Sequence, residues 1–522
     1  MIMSMKYTMI ILAIVGYLGY LIYLGVKLSR TNKSSDDFYL GGRKLGPFVT
    51  AMSAEASDMS SWLLMGLPGV ALLNGFMGNT TGFSEAVWTA VGLAVGTYLN
   101  WLIVAKRIRI YSEKTGSTTL PSFLSDRFGD KAGVLTAVAA VVIIVFFIPY
   151  TASGFAAIGK LASSLFGINY HTAMIVGAIV LVAYTVMGGF LAASFTDLIQ
   201  SIIMTVALFI VVCFGLENIG GMDGLGNAIL SLDGIDSFGK YFSLTGTDGS
   251  SYGFLPIIST LAWGLGYFGM PHILLRFMAI EDEKKLTLSR RVASVWVTIS
   301  MAVAIFIGII GFKFALDTGI LGAEGFDSES ILIYIADAMA SLDSFAAILA
   351  GIIIAGILAS IMSTADSQLL AASSSVSENL VKRFLWKNIG DKAQMWLARG
   401  TMLVIAAVAI ILAWDSNSSV FRIVSFAWAG FGAAFGPVVL FALFWKRTTK
   451  WGTLAGVITG GATVFIWKYL VAPNVAVLNI YELLPAFILA SVAIVAASLL
   501  TKVPDKEISD TFDEVSNYCK SN

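Results

Sequence analysis

Stretches of some twenty apolar residues recur from one end of this chain to the other, and they leave it few choices of fold. Bilayer hydrocarbon holds no water to satisfy a bare N–H or C=O, so a spanning segment is a helix or a strand of a closed barrel. A helix covers the roughly 30 Å core with about 20 residues. By that criterion there are about thirteen candidate spans, at 8–26, 46–73, 81–105, 133–161, 171–188, 191–217, 254–276, 288–316, 345–380, 395–414, 420–446, 451–471 and 480–501. A content of 57% hydrophobic and 13% charged residues excludes a soluble domain and fits an all-α polytopic membrane protein. The first apolar run has no small-residue cleavage site after it, so it is expected to stay as a helix.

Charge adds an orientation. Formal net charge is zero, so no overall field draws a nucleic acid. With the N-terminus outside, all but Lys6, Lys160, Lys240, Lys313, Arg422 and Lys468 of the 33 Lys and Arg fall to the inner side. The positive-inside rule then predicts an odd number of helices, with the N-terminus outside and the C-terminus cytoplasmic. The tail 502–522 is polar and is expected to be solvated. The connection 105–132 has the length and polarity for a short interfacial helix. Two cysteines, Cys213 in an apolar run and Cys519 in the tail, imply no disulfide framework.

Two spans break the apolar pattern. Span 46–73 places Glu55 and Asp58 near mid-membrane, where an acid costs roughly 2.5–3.5 kcal/mol. Four serines (Ser53, Ser57, Ser60, Ser61) and Thr50 crowd the same turns. An acid ringed by hydroxyls there is first a cation-site hypothesis. Span 254–276 holds Gly264, Gly266, Gly269 and Pro271, which weaken a helix and free its carbonyls. Setting 8–26 aside as an extra helix, the interrupted spans are the first and sixth of the remainder. An odd offset of five helices gives two units of inverted topology, 46–217 and 254–446, followed by C-terminal helices over 451–501. Interrupted helices at matching positions of inverted repeats point to a transporter binding site. This repeat rests on spacing, with no residue-level similarity between the halves.

Ser360, Ser363 and Thr364 share one helical face at i, i+3 and i+4. They suit a hard cation with an oxygen preference. Equally, such hydroxyls serve close packing or bond their own i−4 carbonyls. Trp263, Tyr267 and Pro271 recur at i, i+4 and i+8, forming either a wall for a small organic solute or a packed stripe. Tyr150, after Pro149, could supply a facing ring. Asp197 and Asp366 fall in the inner halves of their spans. Each reads as part of an ion path or as an acid solvated by headgroups. Arg43 reads as a positive-inside anchor or a gate. No HExxH, GxSxG, P-loop or paired-cysteine motif occurs, and His171 and His272 have no metal-ligand spacing, so nothing supports an enzyme. An ion channel is disfavoured, because no filter loop repeats.

Six motifs, FYLGGRKLG, SAEASDMSSWLLMGLPG, GGFLAASFTD, WGLGYFGMPHILLRFM, MSTADSQLL and SFAWAGFGAAFGPVVLFALFWKR, closely resemble the sodium/solute symporter family in the family's order. The resemblance implies a LeuT-like core of two inverted five-helix repeats. It implies Na+-coupled symport by alternating access in a cell membrane, without an obligatory protein partner. L-proline is the expected solute; another small organic solute is the alternative. It further implies sodium ligands at the carbonyls of Ala56, Met59 and Ser360 and the hydroxyls of Ser363 and Thr364. Asp58 matches the acid on which sodium binding depends, and Asp197 an inner ion position. Ser60, Tyr150, Trp263, Tyr267 and Pro271 match substrate positions, and Ser61 abuts that pocket. Arg43 matches a coupling arginine. Glu55 matches no family acid.

Overall fold

The computed structural model describes residues 5–29, 35–76, 79–232, 234–247 and 252–521. Arg30 and Lys33, counted above to the inner side, lie outside the described residues. Among the described residues the regular elements are all helices, with two isolated bridges, Leu45 with Ile280 and Phe76 with Asn79.

The long helices follow the apolar spans. They are α1 (Met5–Ser29), the half-helices α2 (Pro47–Ala56) and α3 (Leu67–Leu72), α4 (Gly82–Leu99), α5 (Val134–Phe166), α6 (Tyr170–Gly188) and α7 (Phe190–Asn218). Then come the half-helices α8 (Phe254–Leu261) and α9 (Pro271–Ala279), α10 (Leu286–Asp317), α11 (Ser344–Ser374), α12 (Asp391–Leu412), α13 (Val420–Phe444), α14 (Lys450–Ile466), α15 (Leu483–Leu500) and a tail helix, α16 (Lys506–Ser521). Among the described residues eleven helices are long and apolar enough to cross a membrane, and the α8–α9 pair, bent by 47°, makes a twelfth. The remaining expected span, 46–73, is present as two short pieces around a break, so no single helix there meets the criterion.

Helix starts carry their own signals. Asn169, Asp343, Ser419 and Thr449 each accept a hydrogen bond from a first-turn N–H through the side chain, satisfying donors that have no partner within the helix. Burial sorts the helices into layers. α11 and α13 are enclosed on nearly every face, whereas α1, α12, α14 and α15 present Leu12, Leu403, Ile411, Ile458 and Val492 outward, as lipid-facing helices do. Three of the half-helices lie inside this ring, α2 against α7, α9 and α10, and α3 against α10, with α9 buried along its length, while α8 leaves Phe254 exposed.

Several expectations need correction. The tail is a helix rather than a solvated segment, with Phe512 and Val515 buried and one side packed on the helix Ala105–Thr115. The connection 105–132 holds two helices, Ala105–Thr115 and Leu120–Arg127. Arg276 is not an interfacial anchor but is buried, as is Lys160, which bonds Glu329 at 2.8 Å.

Candidate functional site

The break between α2 and α3 is made by backbone hydrogen bonds that converge and then skip. The N–H groups of Asp58 and Met59 both donate to the Glu55 carbonyl, at 3.0 and 2.8 Å, and the Ser60 N–H donates to the Asp58 carbonyl at 2.7 Å. The Ala56 carbonyl is thereby left to side chains. Ser363 Oγ donates to it at 2.7 Å, and Thr364 Oγ1 lies at 3.4 Å. Ser363 Oγ is also 3.2 Å from the Ser360 carbonyl, while the Ser360 hydroxyl turns back onto Ile357 at 2.8 Å. The structure thus brings together two carbonyls and two hydroxyls from α2 and α11. Oxygens of this kind suit an alkali cation. Among the described residues no group of three His, Cys, Asp or Glu forms a rival metal site. Met59 is buried in the break itself.

Asp58 lies beside this set and binds other partners. Its Oδ2 accepts the Tyr267 phenol at 2.7 Å. Its backbone carbonyl accepts the Trp62 indole at 2.9 Å and the Tyr150 phenol at 3.3 Å. Ser60 Oγ accepts the Trp62 N–H at 3.4 Å, and the Ser61 hydroxyl is buried without a partner. Tyr150, Tyr267, Ser60 and Asp58 therefore converge as the sequence suggests. Trp263 belongs to an aromatic box. It stacks on Tyr481, with ring centroids 5.1 Å apart and planes at 21°, and faces Phe421 at 5.2 Å and Trp62 at 6.3 Å. The Trp428 indole donates to its carbonyl at 2.7 Å. Pro271 opens α9 at the bend, after Met270 in an extended conformation. The residue before proline favours that conformation.

Sequence reasoning missed Trp62, Phe421, Trp428 and Tyr481. Trp62 directly follows the serines, which is a signal. Tyr481 follows α14, outside the units 46–217 and 254–446, and only the tertiary fold brings it near.

A second buried cluster sits one turn earlier on α2, at Ser53. Ser53 Oγ donates to Asp197 Oδ2 at 2.6 Å, and the Arg276 guanidinium bonds Asp197 Oδ2 at 3.2 Å, Ser53 at 3.0 Å and Ser367 at 2.5 Å. The structure therefore places Asp197 in an ion pair, not among the oxygens around Ala56. Asp366 neighbours this cluster, with the Ser367 hydroxyl 3.4 Å from its Oδ1. It is buried, which removes the headgroup-solvated reading.

Glu55 faces α4. Its Oε1 accepts the Thr97 hydroxyl at 2.9 Å and the Trp101 indole at 2.7 Å. Arg43, with φ of +56°, reaches across to α9: it donates to the Met278 carbonyl at 2.6 Å, and to the Ser112 and Ser117 carbonyls at 3.0 and 2.8 Å. Leu45 adds a main-chain bond to Ala279 at 3.1 Å. These contacts tie the entry of α2 to the exit of α9, which a free surface anchor would not do.

Residues 38–460 match the sodium:solute symporter family. A sodium/proline symporter of Haemophilus influenzae is 42% identical over 506 residues, 97% of each chain. One of Escherichia coli K12 is 41% identical, covering 97% of this chain and 96% of the relative. A high-affinity proline transporter of Bacillus subtilis is 42% identical, covering 96% and 98%. In fold, a Na+-coupled sialic acid symporter in a substrate-bound outward-open state superposes with a TM-score of 0.76 at 19% identity, covering 97% of this chain and 99% of that one.

Proposed function

The chain belongs to the sodium:solute symporter family, and on that footing we propose that it imports L-proline, driven by Na+, through alternating access. It is a multi-pass protein of a bacterial cell membrane, a transporter and not an enzyme, with Na+ and proline as its passengers. The observation that carries the reading is the Ala56 carbonyl, released by the break in the first core helix and met by Ser363 and Thr364 of α11.

Sodium binds the carbonyls of Ala56, Met59 and Ser360 and the hydroxyls of Ser363 and Thr364. It thereby joins α2 to α11. Asp58 is an organiser rather than a ligand: its carboxylate holds Tyr267 while its carbonyl holds Tyr150 and Trp62, so the ion and the solute wall share one piece of backbone. Proline lies among Ser60, Ser61, Tyr150, Trp263, Tyr267 and Pro271. Its carboxylate meets the free N–H groups of a half-helix N-terminus, and its ring packs on the aromatic faces. Asp197, linked to α2 through Ser53, lines the inner ion path, and Arg43 couples the two broken helices at that end. The two breaks support inverted units 46–217 and 254–446. The Lys and Arg bias supports an outer N-terminus and an inner C-terminus.

One sodium per proline carries one charge inward, worth about 2.3 kcal/mol at 100 mV. A tenfold sodium gradient adds about 1.4 kcal/mol. The sum supports accumulation on the order of several hundredfold. The test is uptake of labelled proline into vesicles. Entry should rise with an imposed inward sodium gradient, and entry indifferent to that gradient overturns the reading.

A further inference from the structure

Between α13 and α15 the surface falls into an apolar groove of about 410 Å³. Pro437, Leu440, Phe441 and Phe444 line it from α13, at i, i+3, i+4 and i+7, and Phe487 lines it from α15. The hydroxyl in its wall, that of Ser491, donates to the Phe487 carbonyl of its own helix at 2.8 Å, so the body of the groove asks for no polar partner. Phe444, Ile488 and Leu489 stay exposed beside it, as side chains that face lipid do.

The chemistry changes at the exit of α13. Trp445 closes that end of the groove, edge-on to Phe441 with ring centroids 5.6 Å apart, and among the described residues its indole N–H bonds no protein group. The Arg107 guanidinium lies 4.4 Å from the centre of the Phe444 ring and donates through Nη1 to the Leu443 carbonyl at 2.8 Å. Among the described residues neither Arg107 nor its chain neighbour Lys106 pairs with an acid, and the tail acids Asp513 and Glu514 are taken by Lys446 and Lys114. Tryptophan and long cationic side chains collect at the headgroup level of a bilayer. One face of α13 thus leads from a hydrocarbon wall, through an indole donor, to two cations without acid partners.

We propose that the groove holds an anionic glycerophospholipid with the charge of phosphatidylglycerol. One acyl chain lies against Phe441 and Phe487, an ester oxygen accepts the Trp445 N–H, and the phosphate meets Arg107 and Lys106. Net charge selects the lipid class: phosphatidylethanolamine brings an ammonium that opposes the two cations, whereas an anionic headgroup is drawn to them. The lipid ties α13 and α15 to the helix Ala105–Thr115. That helix continues α4 through the wide turn Asn100–Val104, where Trp101 holds Glu55 and Asn100 Nδ2 donates to the Tyr267 carbonyl at 2.9 Å. The lipid therefore braces an element that reaches the solute wall, whatever solute is carried.

The experiment uses the full chain in nanodiscs with a trace of phosphatidylglycerol that carries a photoactivatable diazirine in one acyl chain. Labelled peptides are identified after irradiation and digestion. Label is expected to concentrate around Phe441 and Phe487 and to exceed that on α1 and α12. Unlabelled phosphatidylglycerol should displace it at a mole fraction about tenfold below that needed of phosphatidylethanolamine with the same chains. The double variant Lys106→Gln, Arg107→Gln should lose that preference, and Lys387→Gln, Lys392→Gln, at exposed cations elsewhere, should keep it. Even labelling of the lipid-facing helices overturns the proposal, as does equal displacement by the two lipids, and both are read on the intact protein whether or not a variant folds. A preference unchanged in the Lys106 and Arg107 variant overturns it too. Crosslinks between two copies through an unlabelled groove overturn it in favour of a protein interface.

Discussion

Ser363 and Thr364 use their hydroxyls on a carbonyl of another helix, whereas the hydroxyl of Ser360 serves only its own. Ser363→Ala and Thr364→Ala are therefore expected to weaken sodium by about 1–2 kcal/mol each, near tenfold in the sodium concentration for half-maximal uptake. Ser360→Ala should leave that concentration unchanged. Asp197 and Arg276 are a buried pair, and removing one partner costs about 3–5 kcal/mol because it strands a charge. Asp197→Leu and Arg276→Met should each lower the melting temperature in detergent, and the double variant should recover part of the loss. A double variant as unstable as the sum of the two would refute the pairing. The serine and threonine face was legible, since helical spacing is local. The partner of Arg276 was not. Arg276 closes the span 254–276 and so reads as an end-of-span charge, and only folding brings α7 and α11 to it.

Both broken helices were foreseen from glycine, proline and acid within apolar runs, but the way they seat was not. Gly264, in the turn Ala262–Gly269, meets α4 backbone to backbone. A Cβ on Gly264 would stand 2.1 Å from the Gly92 carbonyl oxygen, and one on Gly96 would stand 2.3 Å from that of Gly264. Small residues permit such approach between membrane helices. Gly264→Ala and Gly96→Ala are expected to cost about 1–3 kcal/mol or more, read as a lower melting temperature. Gly16→Ala and Gly19→Ala, on α1 with open space around them, should cost nothing. The wide turn Asn100–Val104 had no signal at all. Its sequence, NWLIV, is as apolar as its neighbours, and what it does depends on Glu55 and Tyr267 arriving from elsewhere.

At the scale of the whole molecule, hydropathy located the layers because lipid selects apolar surface regardless of topology. It misread the tail for the converse reason. Average polarity hid a stripe of Ile508, Phe512, Val515 and Cys519 at i, i+4, i+7 and i+11, one face of a helix. Lys446 and Lys114 bond Asp513 and Glu514 across the same junction, and the Tyr518 phenol reaches Glu283 at 2.8 Å. Phe512→Ala should lower the melting temperature, by about 1–3 kcal/mol of stability, whereas Val492→Ala on the lipid face should not. Membrane-impermeant thiol labelling of Lys520→Cys, in a chain free of other cysteines, should occur in inside-out vesicles and not in right-side-out ones.

The ring of Phe512 covers the Arg127 guanidinium at 5.0 Å, together with Tyr111 and Phe128. Arg127 donates through Nε to the Ala442 carbonyl, while its two terminal nitrogens bond no protein group. In biosynthesis these groups emerge far apart in time. Arg127 leaves the ribosome while most of the bundle is still unmade, and its lid follows all of the membrane helices. The cover over Arg127 consequently cannot form until every membrane helix described above has been made, so this contact joins an early segment of the chain to one that follows the whole bundle.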